Sequence, residues 1–362
     1  MRIAYCIHSL HSSGGMERVL SLKASYLAEK AGYDVYIITA SLKSRKAFFP
    51  LSPKVHLHDL DCSDHPAMLF YARKLEAFLL EIKADVCISM CGGELYVLPD
   101  LRDGSVKIAE FHFAHKKFML KYGGTALGRI YAGIRTRMLE KAVSRLSAFV
   151  VLTKEDMLSW QGIAPKLVQI YNPLSFSPNH AAVLTQKSFI AVGRLEAQKN
   201  YQDMLAAWKI VAERHPDWQL KIFGKGDCRN SLMKQISSLG LENKVLLLGH
   251  TKNIREEMLA SSGLVMSSLY EGFPMVLLEA QAAGLPIVSY TCPCGPAEIV
   301  EDGKSGILVK PGDVEGLASG ICRLIEDEEF RCNCGRNSYE GARRFEMDGI
   351  MQKWDSLFKS LL

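Results

Sequence analysis

Short apolar runs alternate with amphipathic helical patterns along most of the chain, which is typical of parallel β-sheets covered by helices. In the first half this pattern predicts strands at 2–8, 34–39, 55–60, 85–90, 106–111 and 148–152. Helical spacing indicates helices between them, including 16–30 and 66–82. At 174–187 the periodicity stops and turn-forming residues dominate, which indicates a link between two domains.

The alternation then begins again. It predicts strands at 188–193, 219–224, 244–248, 263–266 and 286–289, with helices at 200–215, 230–239, 274–283, 314–327 and 328–342. The segment 346–362 has the spacing of an amphipathic helix, with its apolar side formed by Met351, Trp354, Leu357 and Leu361. We therefore predict two α/β domains with a cleft between them, and ligands beyond the carboxyl ends of the strands. The predicted boundaries are 1–173, a linker at 174–187, 188–343, and a final helix at 344–362.

Composition narrows the class of protein. The chain has 362 residues, of which 48% are hydrophobic and 23% charged, and these values exclude a disordered or fibrous protein. The amino terminus lacks the features of a signal peptide, so we expect a cytoplasmic protein with reduced cysteines acting as small core residues. The pairs Cys292/Cys294 and Cys332/Cys334 lack the spacing of a zinc site, and we expect no metal.

One stretch concentrates chemical signals, from Ser267 to Ala280. A strand ends there and a glycine-containing loop follows, with Pro274 expected at the first helical position. The amides of Met275, Val276 and Leu277 would then form an anion site at the helix amino terminus. Glu279 lies on an apolar side of this helix, where a carboxylate needs hydrogen-bond donors. Sugar hydroxyls would suit it, and a structural arginine is the alternative.

A second stretch follows the first strand of the second half. Arg194 and Lys199 flank the turn into the next helix. Two fixed cations at this position can hold a diphosphate, each charge-assisted contact contributing about 1.5–3 kcal/mol. The alternative is a pair of solvated side chains. The proximity of another predicted anion site favours the diphosphate.

The first half offers weaker signals. Gly14 and Gly15 lie between the first strand and the first helix, where either a phosphate or a tight turn would require them. The dinucleotide fingerprint G-x-G-x-x-G and the P-loop motif are both absent from the chain. His112 ends a predicted strand at the expected cleft, where it is either structural or part of the site.

Taken together, these motifs resemble the retaining glycosyltransferases of family 4, particularly those of bacterial surface polysaccharides. The strongest match is the pair of glutamates at Glu271 and Glu279, separated by seven residues, within Ser-Leu-Tyr-Glu-Gly-Phe-Pro-Met-Val-Leu-Leu-Glu-Ala. Further matches occur in the family's order at 14–18, 171–173, 192–200 and 284–288. The resemblance implies the GT-B fold, in which two Rossmann-like domains face a deep cleft and the last helix crosses back to the first domain.

The resemblance also implies a role for individual residues. Arg194 and Lys199 would bind the donor diphosphate, Glu279 the ribose, and Glu271 the transferred sugar. The catalytic group would comprise His112, Arg194, Lys199 and Glu271, with His115 as the alternative histidine. The implied donor-binding residues also include Gly14, Gly15, Gly224, Asn253, Ile254, Gly272, Phe273, Pro274, Met275, Val276, Leu277 and Glu279.

The implied activity is metal-independent transfer of a hexose or N-acetylhexosamine, with retention, from a UDP-sugar to a glycan or lipid-linked acceptor. No cofactor is expected besides the donor substrate. A GDP-mannose-dependent mannosyltransferase and a nucleotide-sugar epimerase on the same fold are the alternatives. A non-catalytic sugar-nucleotide-binding subunit is a third possibility. A dehydrogenase is disfavoured because neither half carries the glycine fingerprint.

The uneven distribution of basic residues along the chain indicates one further binding partner. The net charge is +5, and the basic excess lies in 116–145, which contains eight basic residues and one acid. Basic and apolar residues share a predicted helix there, which predicts peripheral contact with an anionic membrane at the inner face of the cell membrane. A solvated helix face is the alternative, and nucleic acid is disfavoured because the segment has no recognisable binding fold. The residues concerned are Arg129, Arg135, Arg137, Lys141 and Arg145 with Leu127, Ile130, Ile134, Met138 and Leu139.

Overall fold

The computed structural model describes residues 1–43, 45–62 and 68–362. The chain divides into two compact units. The first consists of Met1–Ser175 together with Met347–Leu362, and the second of Phe176–Glu346. Each unit contains one sheet whose paired strands are all parallel, as the alternating pattern of strands and helices predicts.

The first unit is built on a seven-stranded sheet. Its strands are β1 (Arg2–Ile7), β2 (Asp34–Thr39), β3 (Val55–Asp59), β4 (Val86–Ser89), β5 (Val106–Phe111), β6 (Ala148–Val151) and β7 (Leu167–Gln169). Their spatial order is β3-β2-β1-β4-β5-β6-β7, in which the first six follow the order of a Rossmann sheet. β4 and β6 are buried along their whole length, because a parallel sheet with helices on both faces has no solvated side.

The helices of the first unit connect these strands. They are α1 (Gly15–Glu29), α2 (Met68–Ile82), α3 (Lys117–Tyr122), α4 (Ala126–Val143) and α5 (Lys154–Trp160). Side-chain caps define two of their starts, since Thr125 accepts from the amide of Gly128 and Thr153 from that of Asp156. The helix predicted at 66–82 begins in the structure at Met68, and its residues 66–67 lie outside the described residues.

The second unit has a six-stranded sheet. Its strands are β8 (Ser188–Val192), β9 (Gln219–Phe223), β10 (Val245–Gly249), β11 (Gly263–Met266), β12 (Ile287–Tyr290) and β13 (Gly306–Val309), in the spatial order β10-β9-β8-β11-β12-β13. Its helices are α6 (Tyr201–Arg214), α7 (Arg229–Ser238), α8 (Ile254–Leu259), α9 (Met275–Ala282), α10 (Pro296–Ile299), α11 (Val314–Glu326) and α12 (Glu328–Gly341).

The chain ends in α13 (Met347–Lys359), which belongs to the first unit. Its buried side consists of Ile350, Met351, Trp354, Leu357 and Phe358, and these residues join the core formed by β1 and α1. The predicted return of the last helix to the first domain is therefore confirmed. The predicted Leu361 lies beyond the helix and packs against the same core only in part.

Three features differ from the predicted elements. β7 and β13 are not among the predicted strands. In the predicted linker, the amide of Ala182 donates to Ala283 O at 2.8 Å, and Arg331 Nε donates to Leu184 O at 3.2 Å. Most of that segment therefore packs on the second unit.

Within the described residues, no helix is both long enough and apolar enough to cross a membrane.

Candidate active site

One edge of the second sheet collects the predicted donor-binding residues of that unit. Because its strands are parallel, their carboxyl ends meet at this edge, where α/β proteins bind ligands. These residues lie in the loops that follow β8, β9, β10 and β11, in the first turn of α8 and in the first two turns of α9. They are Arg194, Lys199, Gly224, Asn253, Ile254, Glu271, Gly272, Phe273, Pro274, Met275, Val276, Leu277 and Glu279.

The centre of this edge is an ion pair between two predicted site residues. Lys199 Nζ lies 2.5 Å from Glu271 Oε1, and their side chains are 17% and 10% exposed. Lys199 ends a short 3-10 turn, and Asn200 then adopts a left-handed conformation (φ 47°) from which α6 begins. The pair places a cation suited to phosphate directly beside a carboxylate suited to sugar hydroxyls.

Hydrogen bonds from side chains to backbone carbonyls hold the two loops of this pair together. Ser267 Oγ lies 2.9 Å from the carbonyl oxygens of both Lys199 and Asn200. The turn and the loop after β11 are joined again where Gln198 Nε2 donates to Tyr270 O at 2.7 Å. The backbone segments that carry Lys199 and Glu271 are therefore held next to each other by the fold of this unit.

The second predicted cation is much more open. The Arg194 side chain is 68% exposed, and its Nη1 lies 2.9 Å from Glu196 Oε1. An ion pair this exposed contributes at most about 1 kcal/mol, so the guanidinium can exchange this partner for a ligand phosphate at low cost. Arg194 and Lys199 thus differ in preorganisation, although the sequence predicted the same role for both.

The amino terminus of α9 differs by one residue from the prediction. Pro274 is the N-cap (φ −73°, ψ 95°) rather than the first helical residue, and the helix begins at Met275. The amide of Leu277 donates to Pro274 O at 2.9 Å and is already engaged. Met275 and Val276 therefore supply the amides of the first turn that precede the internal hydrogen bonds of the helix.

Glu279 is buried on α9, with 4% of the residue exposed. Its neighbours Leu277, Leu278, Ala280 and Ala282 are buried as well, so the predicted apolar surroundings of this carboxylate are observed. Burial at this depth requires donors to the charged group, which is the property expected of a residue that holds ribose hydroxyls.

Close approach of two loops explains the glycine at position 224. A Cβ on Gly224 would lie 1.8 Å from Gly193 O, and one on Gly226 would lie 2.4 Å from Leu195 O. The amide of Gly224 donates to Gly249 O at 2.8 Å, which joins the ends of β9 and β10. Packing alone thus requires Gly224, a reason that the sequence did not reveal.

The loop after β10 leads directly into α8. Asn253 is the N-cap of this helix and Ile254 its first residue. Within the loop, the amide of Asn253 donates to Thr251 Oγ1 at 3.0 Å. These two implied donor-binding residues are therefore part of an ordered turn at the carboxyl edge of the sheet.

In the first unit, the predicted glycine loop starts α1. Gly14 is the N-cap of α1, and a Cβ at this position would lie 2.3 Å from Glu17 Oε2. Ser12 Oγ donates to the same carboxylate at Oε1. Gly14 and Gly15 thus lie at a helix amino terminus, and Glu17 of the first turn lies close against it.

The two candidate histidines have different partners. His112 follows β5, its side chain is 6% exposed, and its Nε2 lies 3.3 Å from Glu110 Oε1. The His115 ring pairs instead with Glu140 at 3.0 Å and meets the Trp160 ring edge-on, with the centroids 4.7 Å apart. These contacts tie His115 to α4 and α5.

Sequence reasoning missed a buried ion pair beside His112. Lys23 Nζ lies 2.5 Å from Glu110 Oε2, with side chains 0% and 1% exposed. Burial raises the pKa of Glu110, but the Lys23 ammonium and the His112 ring outweigh it and bring the pKa to about 2. The available signal was a lysine between the apolar positions of α1 and a glutamate inside an apolar strand.

One group in the described residues has metal-ligating atoms close together, formed by His215, Cys322 and Glu326. His215 Nε2 already lies 2.9 Å from Glu326 Oε1. His215 follows the carboxyl end of α6, which lies toward the amino ends of the strands, opposite the candidate site. This group is therefore not part of the donor site.

The basic segment is less available than its sequence suggests. Arg145 pairs with Asp100, Arg135 packs over the Phe118 ring at 5.1 Å, and Lys117 over that of Phe113 at 4.1 Å. The exposed cations that remain are Lys116, Lys121, Arg129, Arg137 and Lys141. The predicted apolar Leu139 is buried, whereas Leu127, Ile130, Tyr131, Ile134 and Met138 are exposed on α4.

Similarity to solved structures defines the class of fold. The chain superposes on TarM with a TM-score of 0.84, at 14% identity over 99% of this chain and 98% of that one. It superposes on Anabaena HepE in complex with UDP-glucose with a TM-score of 0.79, at 20% identity over 99% and 100%. The two Rossmann-like sheets are those of the GT-B fold, which confirms the predicted fold class.

Part of the chain matches a known protein family in sequence. Residues 175–341 match the family described as Glycosyl transferases group 1. An uncharacterized glycosyltransferase of Haemophilus influenzae is 28% identical over 98% of this chain and 99% of its own length. The amylovoran biosynthesis glycosyltransferase AmsD of Erwinia amylovora is 26% identical over 98% and 99%. The chain carries a Glycosyl transferases group 1 domain and is a glycosyltransferase, as its motifs predict.

A third relative has a more specific name. It is the N-acetylgalactosamine-N,N'-diacetylbacillosaminyl-diphospho-undecaprenol 4-alpha-N-acetylgalactosaminyltransferase of Campylobacter jejuni. It is 26% identical over 91% of this chain and 92% of its own length.

Proposed function

We propose that this glycosyltransferase moves a hexose or N-acetylhexosamine from a UDP-sugar to a glycan or polyprenyl-diphosphate-linked acceptor in the synthesis of a bacterial surface polysaccharide. The observation that carries the proposal is the Lys199–Glu271 pair, 2.5 Å apart at the carboxyl edge of the second sheet. The names of the relatives support the acceptor class, since one concerns amylovoran biosynthesis and another a diphospho-undecaprenol acceptor. The UDP-glucose complex of HepE supports the donor class.

The donor reaction requires stabilisation of a leaving diphosphate. When the bond between the anomeric carbon and the phosphate oxygen breaks, negative charge builds up on that oxygen. Lys199 and Arg194 supply positive charge, and the Met275 and Val276 amides supply donors at the positive end of α9. Because these groups can meet the developing charge, we propose transfer without a metal. Turnover that is unchanged in EDTA would agree, and turnover that requires Mg²⁺ would contradict it.

The sugar and ribose are held by the two glutamates in this proposal. Glu271 accepts hydrogen bonds from sugar hydroxyls, and buried Glu279 accepts them from the ribose. His112 acts beside the sugar, and Gly15 approaches the phosphate. We propose retention by departure and attack on one face, with the donor phosphate accepting the acceptor's proton. Isolation of a covalent glycosyl adduct on any side chain would contradict this route.

Donor identity can be tested by thermal shift without metal. UDP-glucose, UDP-galactose, both UDP-N-acetylhexosamines and GDP-mannose form the panel. A ligand at 100 times its dissociation constant stabilises the fold by about 2.7 kcal/mol, which raises the unfolding midpoint measurably. We expect a UDP-sugar to give the largest shift, and Arg194→Ala and Glu279→Ala to abolish it.

Lys209→Ala is the matched control, because it removes an exposed cation that pairs with Glu213 on α6 of the same unit. It should leave the shift unchanged. A larger shift with GDP-mannose would replace the proposed donor. Conversion of the donor to its epimer without acceptor would replace transfer with epimerisation.

We also propose that α4 of the first unit contacts an anionic membrane. Its exposed side carries an apolar stripe, in which Leu127 is 80% and Ile130 61% exposed. The exposed cations Arg129, Arg137 and Lys141 lie on the same helix. Basic residues near an anionic surface contribute about 1 kcal/mol each, and the apolar side chains insert at the headgroup boundary.

Sedimentation with anionic and neutral vesicles tests this contact. Binding should require anionic lipid, weaken with salt and fall in Leu127→Ser/Ile130→Ser. Leu158→Ser, which removes an apolar side chain 74% exposed on α5, is the control and should bind normally. Absence of binding, or binding that ignores salt, would count against the proposal.

A further inference from the structure

A fully buried ion pair joins α1 to β5 in the first unit. Lys23 Nζ and Glu110 Oε2 are 2.5 Å apart, and neither side chain has appreciable contact with solvent. Removing two charges from water costs several kcal/mol per ion, and two apolar side chains of similar volume would often be as stable. Stability therefore does not account for this pair, and its placement needs another explanation.

The two oxygens of Glu110 serve different neighbours. Oε2 accepts from Lys23, while Oε1 lies 3.3 Å from His112 Nε2. Among the described residues, buried Nε2 makes no hydrogen bond of good geometry, and the Glu110 carboxylate is the acidic group placed beside it. The lysine charge balances the carboxylate, which keeps Glu110 ionised as an acceptor beside the ring.

Two aromatic rings complete the surroundings of Lys23. Nζ lies 3.8 Å from the centroid of the Trp354 ring on α13 and 5.8 Å from that of Tyr5 on β1. The ring faces take the place of water around the ammonium. The pair thus joins the helix that begins at the glycine loop to the strand that His112 follows, and α13 closes over it.

We infer that Glu110, held in place by Lys23, is a positioning residue for His112. Its Oε1, 3.3 Å from Nε2, is placed to accept an Nε2–H. In the neutral form of the ring this contact selects one tautomer and leaves the Nδ1 lone pair available to a hydroxyl of the substrate. This inference rests on the proposed function, because it assigns His112 to the sugar. The lysine keeps the carboxylate charged without leaving a net charge next to the ring.

The first test is spectroscopic and needs no substrate. In the intact protein labelled with 15N-histidine, His112 is assigned by comparison with His112→Gln. The 15N shifts of a neutral histidine distinguish a protonated ring nitrogen from one with a lone pair. We expect His112 in the Nε2–H form. The Nδ1–H form, or an average of both tautomers, would overturn the inference.

A matched pair of double variants separates positioning from folding. Both Lys23→Met/Glu110→Gln and Lys23→Met/Glu110→Leu remove the two buried charges, but only the first keeps an oxygen for Nε2–H. We expect the glutamine variant to retain the tautomer and most turnover. The leucine variant should lose the tautomer preference and about 10- to 100-fold in kcat, as is usual when a residue that orients a histidine is lost.

Donor binding distinguishes the possible failures. The thermal shift with the donor should be equal in the two double variants, because the proposed cationic contacts of the diphosphate, Arg194 and Lys199, lie in the second unit. Equal kcat in the two variants, or loss of kcat with an unchanged tautomer, would overturn the positioning role. If His112→Gln retains full turnover while the Nε2–H form is present, the proposed role of His112 fails and the positioning itself stands.

Discussion

Neutralising Glu271 should have opposite effects on nucleotide binding and on sugar transfer. In the free protein Lys199 Nζ is 2.5 Å from Glu271 Oε1, with both side chains largely buried. A diphosphate that binds Lys199 has to share the ammonium with this carboxylate. Glu271→Gln removes the competing charge and keeps the shape of the side chain, so UDP should bind more tightly.

The size of the effect follows from the burial of the pair. Exposed ion pairs contribute at most about 1 kcal/mol, and hydrogen bonds to charged groups about 1.5–3 kcal/mol. A pair with 17% and 10% of its side chains exposed lies between these cases. We therefore expect about 1–2 kcal/mol, which is roughly 5- to 30-fold in the dissociation constant of UDP. Loss of the charged contact to the sugar should lower kcat/KM about 10- to 100-fold.

Calorimetric titration of UDP without metal measures the first effect, and steady-state turnover with the preferred donor measures the second. Glu196→Gln is the matched control, because it removes the carboxylate beside Arg194 in a pair whose side chains are 68% and 38% exposed. Its effect on UDP affinity should stay below about 1 kcal/mol. In a Lys199→Met background, Glu271→Gln should no longer change UDP affinity.

Weaker UDP binding in Glu271→Gln would refute the reasoning, since it would mean that the carboxylate assists rather than competes. If Glu271→Gln raised UDP affinity by the same factor in the Lys199→Met background as in wild type, the effect would not depend on Lys199.

Two further predictions concern stability. Gly224→Ala should destabilise the protein by several kcal/mol and weaken donor binding, because its Cβ would lie 1.8 Å from Gly193 O. Gly341→Ala is the control in the same unfolding assay and should be tolerated, because the atom nearest to its Cβ is 3.9 Å away. The second prediction is that acid unfolding depends on the buried Lys23–Glu110 pair. The pKa of Glu110 falls from 4.5 to about 2 on folding. The contribution of its ionised carboxylate to the free energy of unfolding is therefore present above pH 4.5 and is lost as the pH falls toward 2. As the pH falls through this interval, the free energy of unfolding of wild type should decrease more than that of Lys23→Met/Glu110→Gln. A stability difference between the two proteins that does not depend on pH would contradict the assignment.

Much of the fold follows from local pattern. The apolar strand at 106–111 and the spacing of Met351, Trp354 and Leu357 are signals within single elements, and the structure has a strand and a helix at those places. The short strands β7 and β13 were not predicted, and the structure defines them by their pairing with β6 and β12.

The local structure of the candidate site was predictable where a motif is contiguous. Glu271 and Glu279 lie in one stretch, and their loop and helix were identified from it, apart from the shift of Pro274 by one position. The contact of Glu271 with Lys199 joins residues 72 positions apart, and no local pattern encodes it.

The sequence by itself determined the alternation of strands and helices, the two-domain organisation and the motifs of the family. Only the tertiary structure decided which charges meet. Lys23 and Glu110 are 87 residues apart, and each looked like an exception in an apolar element. A buried charge is stable only where the fold brings its partner within hydrogen-bonding distance, and that distance is a property of packing between elements rather than of either segment alone.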